Sequence, residues 1–351
     1  MQPFTEALIR EIQFYKDTAY THTPYQTIYI GGGTPSLLNE AQLNAIFSAL
    51  HSVFDLELDE VTMELNPDDV TSPYLKMLQK LGINRVSMGV QSFQPELLTF
   101  MNRAHNRDEA LEALQKIRET NFPTFTVDLI YGNPGQTLEQ LDKDIEILLS
   151  FDPPHVSAYS LTIEPFTRLG KQVDLGRIKP PDEDDVSDHI ERVTSRFSKA
   201  GLQRYEVSNF AKQGKEAIHN SNYWNHHNYL GLGPSAHSFW KDGNGAGRWN
   251  NQPDLPLYLS EDPEDYKGEI EELDQMVLAE ERIMLGLRTR WGVSLNDLEY
   301  EYSYHLSSNQ KEWITRQKNE KLLTFDDGQL ILTDAGLKIS DLLTVDLLSK
   351  K

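Results

Sequence analysis

The chain has 351 residues, and its 33 lysines and arginines are outnumbered by 54 aspartates and glutamates, which gives a net charge of −21. Such an acidic balance disfavours nonspecific binding to nucleic-acid phosphates and to anionic membrane surfaces, so neither a nucleic acid nor a polybasic membrane anchor is expected. The sequence contains no cysteine, which excludes disulfides, a thiolate nucleophile and a cysteine-ligated zinc ion or iron–sulfur cluster.

The chain opens with an amphipathic helix pattern, in which Phe4, Leu8, Ile12 and Tyr15 recur at steps of three and four. Charges within this pattern argue against a signal peptide, and no apolar run approaches the roughly 18 residues that a membrane span needs. We therefore expect a soluble, cytoplasmic protein. No strand pattern precedes the helix, so in an array of strand–helix units it resembles half of a unit.

Short β-rich runs then alternate with helical patterns, one of which is formed by Leu43, Ile46, Phe47 and Leu50. This alternation predicts right-handed βαβ units around a parallel sheet. Five or six units are too few for a complete eight-fold barrel, so an open partial barrel and a doubly wound sheet both fit. The predicted strands are residues 27–30, 61–65, 85–90, 125–131, 156–161 and 204–207.

Beyond residue 208 the periodicity is lost, and glycine, histidine and aromatic residues concentrate up to about residue 250. The remainder is helical at first and then carries two β-like runs around Asp327-Gly328, a hairpin turn signal. We therefore predict three segments: a partial (βα) barrel in residues 1–208, a His- and aromatic-rich segment in 209–252, and a helical, winged-helix-like domain in 253–351.

Polar residues follow the predicted strands, where parallel barrels place their active sites. They are the GGGTP sequence at 31–35, Glu64, Gln91 and Asp128. Each alone is explained as well by a tight turn, a cap or a satisfied core group. Together at one edge they favour a pocket for a polar small molecule. The glycine run is not a phosphate loop, because the Lys-Ser/Thr of that motif is absent.

Several motifs carry a family resemblance: GGGTPSLL, ELNPDDVT, RVSMGVQSFQPELLTFMNRAHN, VDLIYGNPGQT and HNSNYW. Their order and spacing resemble the radical SAM branch that contains oxygen-independent coproporphyrinogen III oxidases and haem chaperones (HemN/HemW). The resemblance implies a partial (βα) barrel that binds S-adenosylmethionine (SAM). The loop matching the methionine amino site is Gly32, Gly33 and Thr34; Glu64 matches a carboxylate at the same end, and Gln91, Arg103 and Asp128 match further contacts. No catalytic residue is assigned.

The HNSNYW motif is the most discriminating, because His219, Asn220, Tyr223 and Trp224 resemble the HNxxYW signature of the haem chaperones, which the oxidases lack. Residues 219–249 also hold four of the ten histidines and three of the five tryptophans, and imidazole and flat rings suit haem. The resemblance implies that His219 ligates haem iron. His226, His227 and His237 are interpreted more simply as packed or hydrogen-bonded residues.

One departure from the family concerns its C-x-x-x-C-x-x-C loop, whose cysteines hold a [4Fe–4S] cluster. No such loop exists in this sequence, so we expect no radical chemistry from this chain. A shortened N-terminus and a natural loss of the cluster both fit. The motifs favour a haem chaperone that binds haem and SAM and serves an acceptor protein. The alternatives are an oxidase-like radical enzyme whose cluster segment is absent, and a cluster-less non-catalytic relative.

Overall fold

The computed structural model describes residues 1–165, 167–243 and 245–351, in which helices and strands alternate as the sequence predicts. The strands are β1 Tyr25–Ile30, β2 Leu56–Leu65, β3 Arg85–Gln91, β4 Thr124–Tyr131, β5 His155–Ser160, β6 Gln203–Arg204, β7 Asn209–Ala211, β8 His237–Asp242, β9 Gly245–Asn250, β10 Glu271–Glu272, β11 Val293–Ser294, β12 Leu323–Asp326 and β13 Gln329–Leu332.

Helices separate most of these strands. They are α1 Gln2–Phe14, α2 Glu40–Val53, α3 Ser72–Lys80, α4 Pro95–Phe100, α5 Arg107–Glu119, α6 Leu138–Ser150, α7 Arg168–Asp174, α8 Glu183–Lys199, α9 Ile218–Trp224, α10 Leu255–Ser260, α11 Pro263–Tyr266, α12 Gln275–Gly286, α13 Leu295–Tyr302, α14 Ser308–Asn319, α15 Asp334–Leu337 and α16 Ser340–Leu348. In the part of the chain that is described, every helix is too short or too polar to cross a bilayer.

A seven-stranded sheet runs in the order β1-β2-β3-β4-β5-β7-β6. Neighbouring strands from β2 to β5 are parallel, and the intervening helices bury their apolar faces. Parallel strands buried on both faces read as near-continuous apolar runs, and all but the last residue of β3 are indeed buried. The strand–helix alternation therefore builds the α/β fold that the sequence predicts.

Capping boxes set where the helices after the parallel strands begin. In α2 the Asn39 side chain accepts the Gln42 N–H while the Gln42 side chain accepts the Asn39 N–H. The same reciprocal pair starts α5 and α6. Each cap satisfies two backbone donors that the first helical turn leaves open, which contributes about 1 kcal/mol per cap.

One predicted strand is wrong in its bounds and direction. Residues 204–207 do not form a single strand; β6 ends at Arg204, the chain turns, and β7 runs antiparallel to both β6 and β5. The turn is held by the Arg204 side chain, which donates to the carbonyl oxygens of Glu206 and Val207. The hydrogen bonds of the Arg204 side chain thus place a turn within this β-like run.

The C-terminal hairpin is confirmed, since β12 and β13 pair antiparallel across Asp327 and Gly328. Strand β11 adds to β13, and α13 and α14 precede the hairpin, as expected for a winged-helix-like arrangement. Another sheet, in the order β10-β9-β8, follows the HNSNYW motif, which we call the haem motif. Its strands β8 and β9 lie in a region where the sequence shows no periodicity.

The described chain forms two compact units that are discontinuous in sequence. The first unit comprises Met1–Ile28, Leu37–Glu60 and Ile218–Lys351, and the second comprises Tyr29–Ser36 and Val61–Ala217. The division of the sequence into residues 1–208, 209–252 and 253–351 stays a prediction.

Candidate functional site

The glycine loop after β1 rests on Glu64 at the end of β2, within the second unit. The Gly32 N–H donates to Glu64 Oε2 at 3.0 Å, and the Tyr29 hydroxyl donates to Glu64 Oε1 at 2.7 Å. A Cβ at Gly31 would lie 2.6 Å from the Tyr29 ring and 2.8 Å from the Glu64 carboxylate, so only glycine fits there. Gly32 and Gly33 have φ of +75° and +62°, which glycine adopts without strain.

Gln91 and Arg103 come together over Gly89. The Gln91 Nε2 and Arg103 Nη2 atoms lie 3.0 and 3.2 Å from the position that a Gly89 Cβ would occupy. Arg103 Nη2 donates to Asn66 Oδ1 at 3.0 Å and to the Gly89 carbonyl at 3.2 Å. Gln91 has φ of +66° at a register irregularity that ends β3. Among the described residues, Gln91 Oε1 and Arg103 Nε are buried without a hydrogen-bond partner.

Asp128 lies on β4 beside β3, where the Ser87 hydroxyl donates to Asp128 Oδ1 at 3.2 Å. Burial and the charge of Glu64 together raise the pKa of Asp128 to about 7, against hydrogen bonds from Ser157 and Ser87 that lower it. Serine hydroxyls on the neighbouring strands β3 and β5 thus donate hydrogen bonds that stabilise the ionised form of Asp128.

Glu206, which the sequence reasoning did not single out, is a second acid of this unit with a raised pKa. Its carboxylate is buried and accepts the Ser208 N–H at 3.2 Å. Burial raises the pKa of Glu206 to about 7, and hydrogen bonds from Asn209 and Ser208 oppose that shift. The only sequence signal for it was an acidic residue within a β-like run.

The residues predicted to contact SAM all belong to the second unit and all keep some exposed surface. Gly32 and Gly33 are exposed, whereas Thr34, Glu64, Gln91, Arg103 and Asp128 are half-buried. A glycine loop that admits close backbone approach, together with two buried polar atoms that lack partners, fits a polar ligand with charges of both signs. The residues present are therefore compatible with SAM.

A [4Fe–4S] cluster does not fit this chain. The sequence has no cysteine, and within the described residues no group of three or more His, Asp or Glu side chains could hold a metal ion. Cluster irons take thiolate ligands, or imidazole in a minority of proteins. The residues of this chain therefore support no reaction step through a cluster.

The haem motif forms the short helix α9, which belongs to the first unit and begins next to Glu60 of β2. The Glu60 carboxylate is buried and accepts the Ile218 N–H at 2.9 Å and the His219 N–H at 3.1 Å. These donors would otherwise be unsatisfied at a helix N-terminus, and a negative charge is favourable there. Glu60 therefore fixes the start of the helix that carries His219.

Both ring nitrogens of His219 have hydrogen-bond partners. Nδ1 lies 2.9 Å from the Thr27 hydroxyl, and Nε2 lies 3.0 Å from the Tyr223 hydroxyl. Burial lowers the pKa of His219, an effect that the Glu60 charge opposes. Burial also raises the pKa of Tyr223 to about 12, so its hydroxyl stays protonated and able to donate. His219 is therefore a neutral imidazole with an oriented ring.

His219 lines an open cavity of about 600 Å³, which we name the His219 cavity and which lies entirely within the first unit. This volume falls in the range of about 300–1,000 Å³ that small-molecule and cofactor sites occupy. Its lining includes residues 23–27, 222, 223 and 225–230, with Lys241, Arg282, Asp297, Glu301 and Tyr302. The aromatic lining is tyrosine: Tyr25, Tyr223, Tyr229 and Tyr302.

The tryptophans that the sequence places near the motif lie elsewhere in the first unit. Trp240 and Trp249 line a second cavity of about 350 Å³, and Trp224 is not among the residues that line the His219 cavity. The Trp224 carbonyl, the last of α9, accepts a hydrogen bond from Arg282 Nη1 at 3.2 Å.

The other three histidines differ in environment. His226 is buried, stacks on Phe239 with ring centroids 4.5 Å apart, and has Nε2 3.3 Å from Glu281. His227 lines the cavity and has Nδ1 3.3 Å from Asn222 Oδ1, while His237 is exposed on β8. Because α9 ends at Trp224, His226 and His227 do not continue its helical face.

Known proteins resemble this chain over almost its whole length. Family models match residues 6–148 (Radical SAM superfamily) and 273–339 (HemN C-terminal domain). The heme chaperone HemW of Lactococcus lactis subsp. lactis is 34% identical over 340 residues, covering 96% of this chain and 87% of that protein. The heme chaperone HemW of Bacillus subtilis is 35% identical over 343 residues, covering 95% and 89%.

A solved structure shares the fold. The coproporphyrinogen III oxidase HemN from Escherichia coli, a radical SAM enzyme, superposes with a TM-score of 0.82 over 99% of this chain and 82% of its own. At 21% identity this likeness shows the fold alone. The predicted partial barrel of radical SAM type is thereby confirmed, and the predicted C-terminal domain matches the HemN C-terminal domain.

Proposed function

Because the chain belongs to the HemW family of haem chaperones, we propose that it binds haem in the His219 cavity and delivers it to an acceptor protein. The observation that carries the proposal is the position of His219 in the lining of this cavity. Its Nδ1 atom is hydrogen-bonded to the Thr27 hydroxyl, and its Nε2 atom is hydrogen-bonded to the Tyr223 hydroxyl.

An imidazole that binds iron must be neutral and must present one nitrogen while the other is held. Burial lowers the pKa of His219 and so favours the neutral ring. In the tautomer whose Nδ1–H donates to the Thr27 hydroxyl, Nε2 is the nitrogen left for iron, once the Tyr223 hydroxyl gives way. The tyrosine rings of the lining supply flat apolar surface for a porphyrin.

The test is a haemin titration of the wild-type chain and of His219→Ala, followed by absorbance in the Soret region. We expect the variant to shift or abolish the Soret band and to bind at least about tenfold more weakly, because an iron–nitrogen bond and its orientation are lost. His237→Ala is the matched control, since that histidine is exposed and does not line the cavity.

If His219→Ala leaves spectrum and affinity intact while His227→Ala removes both, the ligand assignment is wrong. His227 is the histidine to compare because it shares the cavity lining with His219, whereas His226 of the same lining is buried and stacked on Phe239. The protein would then be a haem binder with different ligation.

We further propose that the second unit binds SAM through the glycine loop and the polar residues after β2 to β4. SAM carries an ammonium, a sulfonium and a carboxylate, which call for acids on one side and a cation on the other. Glu64 and Asp128 supply the acids, Arg103 supplies the cation, and the unpartnered Gln91 Oε1 is an acceptor for a ligand N–H or O–H. The ligand is held without a cluster, so only binding is inferred.

Calorimetric titration with SAM tests this pocket. Glu64→Gln and Asp128→Asn keep the side-chain shapes and remove one charge each, so each is expected to weaken binding by about five- to tenfold. Glu139→Gln, an exposed acid paired with Lys143 on α6, is the matched control. SAM binding that neither pocket variant changes would mean that the assignment is wrong.

A further inference from the structure

Arg282 lines the His219 cavity without a carboxylate partner. It lies on α12, is half-buried, and its guanidinium donates to the Trp224 carbonyl at 3.2 Å. Among the residues that the structure describes, no acidic side chain lies within ion-pair distance of it, although the chain has 54 acids for 33 basic residues. The acid one position earlier, Glu281, is instead engaged by His226 and Arg248.

Lys241 on β8 is the second cation of the lining, and it is loosely held. Its Nζ lies 3.4 Å from Glu301 Oε2 and 3.1 Å from the Tyr302 hydroxyl, and it sits 4.9 Å from the Tyr302 ring centroid. An ion pair this long between partly exposed groups contributes little stability, so Lys241 can exchange Glu301 for another anion at small cost.

The charges of Arg282 and Lys241 also change the pKa of a neighbouring group in the cavity. Burial lowers the pKa of His227, and the positive charges of Arg282 and Lys241 lower it further, while the charge of Glu301 opposes them. The cavity thus combines a neutral imidazole, tyrosine rings and two cations, one of which has no anion of its own among the described residues.

We propose that Arg282 binds a carboxylate of the tetrapyrrole, with Lys241 as the second anchor, so that the His219 cavity selects porphyrins with free propionate groups. This inference rests on the proposed function, in which haem occupies that cavity. A guanidinium matches a carboxylate with two parallel N–H···O bonds, which gives orientation as well as affinity. Asp297 and Glu301 line the same cavity and repel a carboxylate placed near them. The ligand is therefore restricted to orientations in which its carboxylates contact Arg282 or Lys241.

A purely structural role for Arg282, as a cap on the last turn of α9, makes a different prediction. Arg282→Gln separates the two roles, because it removes the positive charge while the side chain keeps a hydrogen-bond donor. Loss of a cap would weaken every ligand of the cavity equally, whereas loss of the charge would weaken only ligands with a free carboxylate.

The experiment compares metal-free protoporphyrin IX with its dimethyl ester in the same detergent-containing buffer, by quenching of the intrinsic fluorescence. Neither compound contains iron, so the comparison does not depend on His219 as a ligand. The proteins are the wild-type chain, Arg282→Gln, Lys241→Gln and the control Arg290→Gln. Arg290 is exposed and lies outside the cavity lining, and its replacement removes the same charge.

We expect the wild-type chain to prefer the free acid over the ester by about tenfold, as for a charge-assisted bidentate bond. In Arg282→Gln this ratio should fall to about two or less, with a smaller fall in Lys241→Gln and none in Arg290→Gln. An unchanged ratio in Arg282→Gln, or an equal loss for both compounds, would overturn the inference.

A haemin titration of Arg282→Gln separates this inference from the proposed function. The Soret position should stay that of the wild-type chain while the dissociation constant rises, because His219 is untouched. A wild-type chain that does not bind haemin would refute haem binding in this cavity, and the inference with it. Haem binding through His219 with no acid–ester preference would refute the inference alone.

Discussion

The carboxylate of Glu60 accepts the backbone N–H of His219 at 3.1 Å, across 159 positions of sequence. The same carboxylate accepts the Ile218 N–H at 2.9 Å. A buried acid of β2 thus satisfies two backbone donors at the start of the helix that carries the haem motif. Because α9 has only seven residues, its position depends on contacts of this kind rather than on its own helical stability. Glu60 is a positioning residue for His219.

Replacing Glu60 with Gln should therefore affect both stability and haem binding. The amide loses the charge and offers one acceptor oxygen for two donors, which costs about 1–2 kcal/mol of unfolding free energy. We expect haemin affinity to fall by about three- to tenfold with an unchanged Soret position, and amide exchange to rise in α9 specifically. Glu57→Gln, an exposed acid on the same strand, should change neither. An unaltered exchange rate in α9 would argue against this role.

Reconstitution with iron and sulfide should yield no [4Fe–4S] cluster in this chain, since it has no cysteine to ligate one. The reduced sample is expected to be silent in electron paramagnetic resonance, and incubation with SAM and a reductant should release no 5′-deoxyadenosine. A cluster signal accompanied by 5′-deoxyadenosine would contradict this expectation and require ligands other than thiolate.

The stability of the second unit should depend on pH through Asp128 and Glu206. Burial raises the pKa of each to about 7, well above the value of about 4 expected in an unfolded chain. Between these values the folded state binds protons that the unfolded state has released, so the contribution of these two acids to the free energy of unfolding falls as the pH rises from about 4 to above 7.

Asp128→Asn removes one of these protonation sites, and denaturant unfolding at pH 5 and pH 8 measures the effect. The stability at pH 8 relative to that at pH 5 should be higher by about 1 kcal/mol in the variant than in the wild-type chain, allowing for solvent screening of a half-buried carboxylate. Taking the difference between the two pH values cancels any pH-independent loss from the altered hydrogen bonds to Ser87 and Ser157. The exposed Asp174→Asn should leave the difference unchanged.

The fold was largely predictable because most of its strands and helices have local signals in the sequence. Parallel strands from residue 56 to 160 and the capping boxes of α2, α5 and α6 all have short-range signals in the sequence. The antiparallel turn between β6 and β7 was not predicted, since it depends on the Arg204 side chain reaching the carbonyl oxygens of Glu206 and Val207. The β8–β9 hairpin also escaped prediction, because β9 contains two glycines and the two strands show no clear alternation.

The candidate site was predictable only in part, for a different physical reason. Glu64 follows its strand and contacts the glycine loop, as the geometry of parallel strands implies. By contrast, Thr27, Glu60 and Arg282 reach α9 from distant parts of the chain, and no local pattern marks them. The assignments of SAM and haem contacts to individual residues stay predictions.

The two hydroxyls that hold the His219 ring should have opposite effects on haem binding. Thr27 is hydrogen-bonded to Nδ1 and so orients the ring, whereas Tyr223 occupies Nε2, the nitrogen that we propose for iron. Thr27→Val keeps the volume and removes the acceptor, so haemin should bind about three- to tenfold more weakly. Tyr223→Phe keeps the ring that packs edge-on against Tyr229 but frees Nε2, so haemin should bind as tightly as in the wild-type chain or about threefold more tightly.

Haemin titrations of the two variants at one pH, with unfolding curves to exclude loss of structure, check this pair. Tyr20→Phe is a control for removal of a tyrosine hydroxyl, because Tyr20 lines the second cavity and not the His219 cavity. If Tyr223→Phe weakens haemin more than Thr27→Val does, then Nε2 is not the iron-binding nitrogen. Coordination through Nδ1 would follow, with Tyr223 as the group that orients the ring, because the roles of the two hydroxyls depend only on which nitrogen the iron takes.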